Sequence, residues 1–84
     1  MDTNRIVFKT LGPALAALRR QSGKTGPQVA KEIGRSHTIV YRYEHGYREL
    51  STFMLFRYLT AVNASLVDLH EAMQQQLGLD TTNL

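Results

Sequence analysis

The most constraining stretch of this chain lies between Thr25 and Gly46. Two segments of helical spacing are joined there by only Gly34-Arg35-Ser36. Thr25-Gly26-Pro27-Gln28 is a capping box: the Thr hydroxyl accepts from a free backbone N–H of the first turn, and the Gln side chain reaches back to the cap. Val29, Ala30 and Ile33 then share one face before Gly34 ends the segment. Ser36 is placed to cap a second segment, 37–45, whose inward positions Val40 and Tyr43 stand three apart, and Gly46 ends it. So short a link, containing a glycine that can take positive φ, makes two helices cross steeply and prevents an antiparallel pair.

Similar punctuation divides the rest of the chain. Thr10-Leu11-Gly12-Pro13 reads as a helix entry, since proline does no harm in a first turn. Leu11, Leu15, Leu18 and Ser22 follow at helical spacing until Gly23. Ser51 can cap a fourth helix with Leu55, Phe56, Leu59 and Val62 inward, ending at Asn63. Ser65 with Asp68 can cap a fifth, striped by Leu66, Leu69, Met73 and Leu77. Only Arg5–Lys9 alternates with a strand's period of two. The expected architecture is all-α with five helices, and three parts follow from it: an N-terminal arm or short strand over 1–10, a folded domain over 11–77, and a frayed tail over 78–84.

Composition excludes several classes. The chain has 84 residues, 43% of them hydrophobic, which suits one domain with a small core. It lacks cysteine, so disulfides and thiolate metal sites are ruled out, and a reducing cytoplasm fits. No apolar run approaches the roughly 18 residues of a membrane span, and the start MDTNRIVFKT is not a secretory signal. The three histidines have no metal-ligand spacing, and no nucleophile–base pair or phosphate loop is visible. Neither an enzyme nor a cofactor is expected. Residues 1–50 hold nine Lys/Arg against four Asp/Glu, whereas residues 51–84 hold one Arg against three acids. The basic half suits a polyanion, and the acidic half suits something else.

The linked pair has the spacing of a helix-turn-helix, whose second helix presents its N-terminal residues to base edges in the major groove. Between the glycines of GRSHTIVYRYEHG stand two arginines, two histidines and two tyrosines, but one acid. With Val40 and Tyr43 turned inward, most of the remaining face can donate hydrogen bonds. Ser36, His37, Thr38, Tyr41 and Arg42 are the candidate base contacts, Arg42 being able to bind guanine bidentately. Candidate phosphate contacts are Lys24, Thr25, Gln28 and Arg35 before the reading helix, with Tyr47 and Arg48 after it. His45 and His70 read as solvated. Double-stranded DNA is the expected partner.

At these residues the sequence resembles the lambda-repressor-like, or Xre-type, helix-turn-helix regulators. The resemblance spans about 11–73. It rests on Leu18-Arg19, Thr25, Val29-Ala30, Ile33-Gly34, Ser36, Val40, Glu44, Gly46 and the later Val62-Asn63-Ala64-Ser65-Leu66. It implies an ion pair, partly buried, between Arg19 and Glu44, with Glu44 a scaffold residue and not a catalytic acid. It also implies a symmetric dimer on a palindromic operator. Arg35, Tyr43, Leu50 and Thr52 depart from the pattern, and Phe53, Met54 and Tyr58 put apolar residues at positions often exposed.

Five small helices cannot bury every apolar residue. Phe53, Met54, Arg57, Leu66, Val67 and Met73 are therefore expected at a homodimer interface on helices four and five, with a groove for a protein partner as the competing reading. The functional expectation is a dimeric transcriptional repressor of phage, plasmid or bacterial chromosomal origin. Its alternative is the antitoxin of a toxin–antitoxin system, which binds its own operator and also a toxin.

Overall fold

The structure, a computed structural model, describes the backbone of residues 3–81 and the side chains of 9–78. Among the described residues there are five helices and no strand: α1 (Thr3–Gln21), α2 (Gly26–Ile33), α3 (His37–Glu44), α4 (Thr52–Ala61) and α5 (Leu66–Thr81). α1 and α5 form the most extensive pair. α3 packs on α1 and α2, and α4 packs on α2.

Side-chain caps start the helices. Thr25, Ser36 and Ser51 each accept a hydrogen bond from the backbone N–H three residues on, which supplies a partner that the first turn lacks. Thr25 N–H in turn donates to Gln28 Oε1 at 2.8 Å, completing the capping box. Ser65 and Asp68 make the same reciprocal pair at α5. The Ser65 N–H holds the Asp68 carboxyl below the usual carboxylate range. α2 ends where Gly34 takes φ 70°, so that Arg35 N–H reaches the Ala30 carbonyl at 2.9 Å. A Cβ is disfavoured in that left-handed conformation. Asn63, at φ 56°, closes α4 the same way.

α1 differs from the sequence expectation. It begins at Thr3, so residues 3–10 are helix and neither arm nor strand, and Pro13 lies inside it. Residues 1 and 2 lie outside the described residues. Gly12-Pro13 is the ambiguous signal: a proline mid-helix forfeits one backbone hydrogen bond, but the long contact with α5 outweighs that local cost. Gly12 has a separate reason. A Cβ there would stand 2.5 Å from the Glu44 carbonyl oxygen, so α1 crosses the end of α3 backbone to backbone. The expected tail is also partly helical, since α5 runs to Thr81. Residues 82–84 lie outside the described residues.

The core joins Leu15 and Leu18 of α1, Val29, Ala30 and Ile33 of α2, Val40 and Tyr43 of α3, and Leu69 and Ala72 of α5. α4 enters it with Leu55, Leu59 and Val62 inward as its spacing suggests, but with Met54 and Tyr58 in place of Phe56. Met54 and Tyr58 are buried with Leu59 and Val62, whereas Phe56 is 47% exposed. Met54, expected at the dimer interface, is thus a core residue. α4 is apolar nearly all round, so periodicity alone leaves its rotation open. Leu66, expected in the α5 stripe as well as at the interface, is 52% exposed because it stands in the first turn, ahead of the contact that buries Leu69.

Candidate nucleic-acid interface

α3 is held from behind by a buried polar cluster. Arg19 of α1 donates from Nε to Glu44 Oε2 at 2.8 Å and from Nη2 to Oε1 at 2.9 Å. Such a two-pronged pair fixes angle as well as distance. Tyr58 of α4 donates its hydroxyl proton to the same Oε2 at 2.6 Å, with the Leu15 carbonyl 3.2 Å away. Burial, then the neighbouring carboxylate, holds the Tyr58 phenol well above its usual range. The bond to Glu44 raises the Arg19 guanidinium. One carboxylate at the last residue of α3 therefore ties three helices together. Among the described residues, no buried side-chain nitrogen or oxygen lacks a partner.

That anchoring turns one face of α3 outward. His37, Thr38, Tyr41 and Arg42 are exposed on it, beside the cap Ser36. The His37 ring lies against the first turn of α2, where a Cβ on Gly26 would stand 3.2 Å from it. Ile39 is half-buried against the core. The Tyr41 ring stacks on His45, with centroids 3.8 Å apart. It is therefore drawn toward the C-terminal end of the helix, away from His37 and Thr38. His45, read from sequence as solvated, is exposed but held: Nδ1 lies 2.8 Å from the Tyr41 carbonyl.

The expected phosphate contacts fare unequally. Arg48 and Tyr47 are exposed beyond Gly46, Tyr47 at 74%. Arg35 is exposed, its Nη1 donating only to the Gly34 carbonyl beside it. Thr25 and Gln28 commit their oxygens to each other's backbone N–H groups. Pro27 has no N–H, so the Gly26 N–H, the Thr25 hydroxyl proton and the Gln28 Nε2 are what the start of α2 still offers among the described residues. Lys24 is already engaged: its Nζ bonds Glu32 at 3.0 Å and also the Ala61 carbonyl at the end of α4, so it bridges α2 to α4. Ala61 lies 37 residues along the chain, which hides this role from sequence reasoning.

On the far side of Lys24, a hollow of about 490 Å³ is lined by Glu32, Phe53, Phe56, Arg57 and Thr60. Phe53 is 68% exposed, and the Arg57 guanidinium sits 5.7 Å from its ring centroid. Val67 is 64% exposed at the start of α5, and Met73 is half-buried against the core. Among the described residues no cluster of His, Asp or Glu can hold a metal, and no helix is long and apolar enough to cross a membrane.

The fold is shared with known proteins. The helix-turn-helix domain family matches residues 10–73. The chain belongs to that family. Among solved structures it is similar to the clp gene regulator ClgR from Corynebacterium glutamicum: TM-score 0.84, 25% identity, 92% of this chain and 82% of that one covered. The restriction-modification controller protein C.AhdI from Aeromonas hydrophila has TM-score 0.69 and 24% identity, with 74% and 94% covered. The controller protein C.Esp1396I has TM-score 0.76 and 17% identity, with 84% and 93% covered. These two controllers share the fold. A comparison with curated proteins finds no match. Tyr58 is the scaffold residue that sequence reasoning missed. A tyrosine among the apolar residues of α4, with a hydroxyl needing a partner if buried, was the available signal.

Proposed function

We propose that this helix-turn-helix regulator is a sequence-specific repressor that binds double-stranded DNA as a homodimer on a palindromic operator. The observation that carries the reading is the outward face of α3. Four exposed donors, His37, Thr38, Tyr41 and Arg42, stand on a helix fixed at its far end by the Arg19–Glu44–Tyr58 cluster. Rigid support of the reading residues is what base recognition requires. Arg35, Tyr47 and Arg48 flank that face for the phosphates, while Ser36 serves chiefly as a cap. Occupation of the operator would block polymerase sterically. The exposed Leu66 and Val67, with Met73 behind them, are the proposed dimer surface on α5, and cytoplasmic residence is part of this reading.

A second reading rests on the hollow beside α4. Its exposed Phe53 and Phe56, with Arg57 alongside, offer a surface for a protein partner. On this reading the chain is an antitoxin that represses its own operon and binds a toxin at this hollow.

Selection from a random duplex library at physiological salt, followed by sequencing, tests the first reading. An enriched palindrome with half-sites about one helical turn apart is the expected result. A flat library contradicts it and moves the partner-dependent reading ahead.

A further inference from the structure

Three rings form a row at the edge of the reading face. His45 stacks on Tyr41 with centroids 3.8 Å apart and planes 19° from parallel, and on Tyr47 at 6.4 Å and 13°. Tyr41 is half exposed and Tyr47 more so, yet neither ring is buried against the core. The imidazole is also oriented. Its Nδ1 lies 2.8 Å from the Tyr41 carbonyl, which has no proton to give, so Nδ1 carries the hydrogen and donates it. A second proton must then enter at Nε2, which has no partner among the described residues.

His45 follows the last turn of α3, where the carbonyl end of a helix favours a cation. The phenol rings of Tyr41 and Tyr47 stack with it. From α1, Lys9 shares a hollow with His45, Pro13, Glu44 and Gly46. From α3, Arg42 is the nearby cation, and the Glu44 carboxylate is already bound by Arg19 and Tyr58. The loop adds Arg48 and Glu49. No acid is paired with His45 itself among the described residues, so an anion brought from outside would be its counter-charge.

We propose that His45 is a protonatable contact to the DNA backbone, held in position by its hydrogen bond to the Tyr41 carbonyl and its stacking with Tyr41 and Tyr47. Resting on the DNA-binding reading above, this names a residue of the same interface and the way that it is regulated. A phosphate oxygen beside Nε2 favours the protonated ring, so DNA binding and proton uptake are coupled. Operator affinity is then higher at low pH than at high pH.

The test is fluorescence anisotropy with a selected operator duplex at fixed ionic strength, from about pH 5.5 to about pH 8.5. Wild type is expected to bind roughly three- to tenfold more tightly at the low end, with a salt slope steeper by about one. His45→Phe keeps a ring in the stack and should lose the pH effect. His45→Arg carries a fixed charge and should bind tightly throughout. A pH effect that survives in His45→Phe overturns the proposal, as does His45→Arg binding no better than wild type near pH 8. Wild type that binds no duplex at any pH is a different outcome: it overturns the DNA-binding reading, and this inference falls with it.

Discussion

The Tyr58 hydroxyl donates to Glu44 Oε2 at 2.6 Å, on the oxygen that Arg19 Nε also binds at 2.8 Å. One buried oxygen thus receives a donor from α1 and another from α4, and the last turn of α3 is fixed between them. The polar cluster sets where the reading face points.

Tyr58→Phe keeps the ring and removes the donor. It is expected to cost about 1.5–3 kcal/mol, the range for a hydrogen bond to a charged group. Urea denaturation near neutral pH measures it, and an unchanged midpoint would contradict the role given to the hydroxyl. The pH dependence has a definite sign. The folded phenol titrates above its ordinary value of 10.0, so the unfolded chain ionises first. The stabilisation is fully present below about pH 10 and is lost as pH rises beyond it, closing the gap between wild type and Tyr58→Phe.

Glu44→Ala removes the acceptor that three helices share. The expected loss is about 2–4 kcal/mol, somewhat below the range for a fully buried pair because the Arg19 side chain keeps 16% of its exposure. Thermal unfolding should show a fall larger than that of Tyr58→Phe. A smaller fall would mean that Arg19 and Tyr58 find other partners.

Glycine to alanine should have opposite signs at two helical positions. At Gly12 the new Cβ would meet the Glu44 carbonyl at 2.5 Å, and about 1–3 kcal/mol should be lost to overpacking. At Gly78 nothing stands within 4 Å, so the better helix propensity of alanine should gain about 0.5–1 kcal/mol. Equal effects at the two sites would rule out the close crossing of α1 and α3.

These sites also show how far the sequence could be read. The caps at Thr25, Ser36, Ser51 and Ser65 were legible because each acts on its own next turn. The inward set of Val29, Ala30, Ile33, Val40 and Tyr43 was legible because α2 and α3 each have one apolar face. α4 was not: Phe56 and Tyr58 are both large and apolar, and only contacts with α1 and α3 decide that Tyr58 turns inward. Gly12 was read as a helix start because its true reason, Glu44, lies on another helix. The bond that Lys24 makes across to α4 was not legible, because the carbonyl that it meets belongs to Ala61.

Lys24→Met should therefore act on folding and not on DNA. Loss of the bonds to Glu32 and the Ala61 carbonyl is expected to cost about 1 kcal/mol, since the pair is partly solvated. The salt dependence of DNA binding should stay as in wild type. A slope lower by about one would instead return Lys24 to the phosphate contacts.

Arg48→Ala should do the reverse. Arg48 is exposed after Gly46, with no ion pair among the described residues. Its loss is expected to weaken all duplexes about equally and to lower the salt slope by about one, leaving stability unchanged. Preferential loss of one sequence would make it a reading residue.

Arg42→Ala tests the central claim most directly. Its affinity is to be measured on the selected operator and on an unrelated duplex, both at physiological salt. If α3 reads DNA through its outward face, the operator should lose roughly 1–3 kcal/mol, preference should relax at one base position, and the unrelated duplex should change far less. Operator binding equal to wild type would contradict the account, because the donor best placed to read a base would then be reading none.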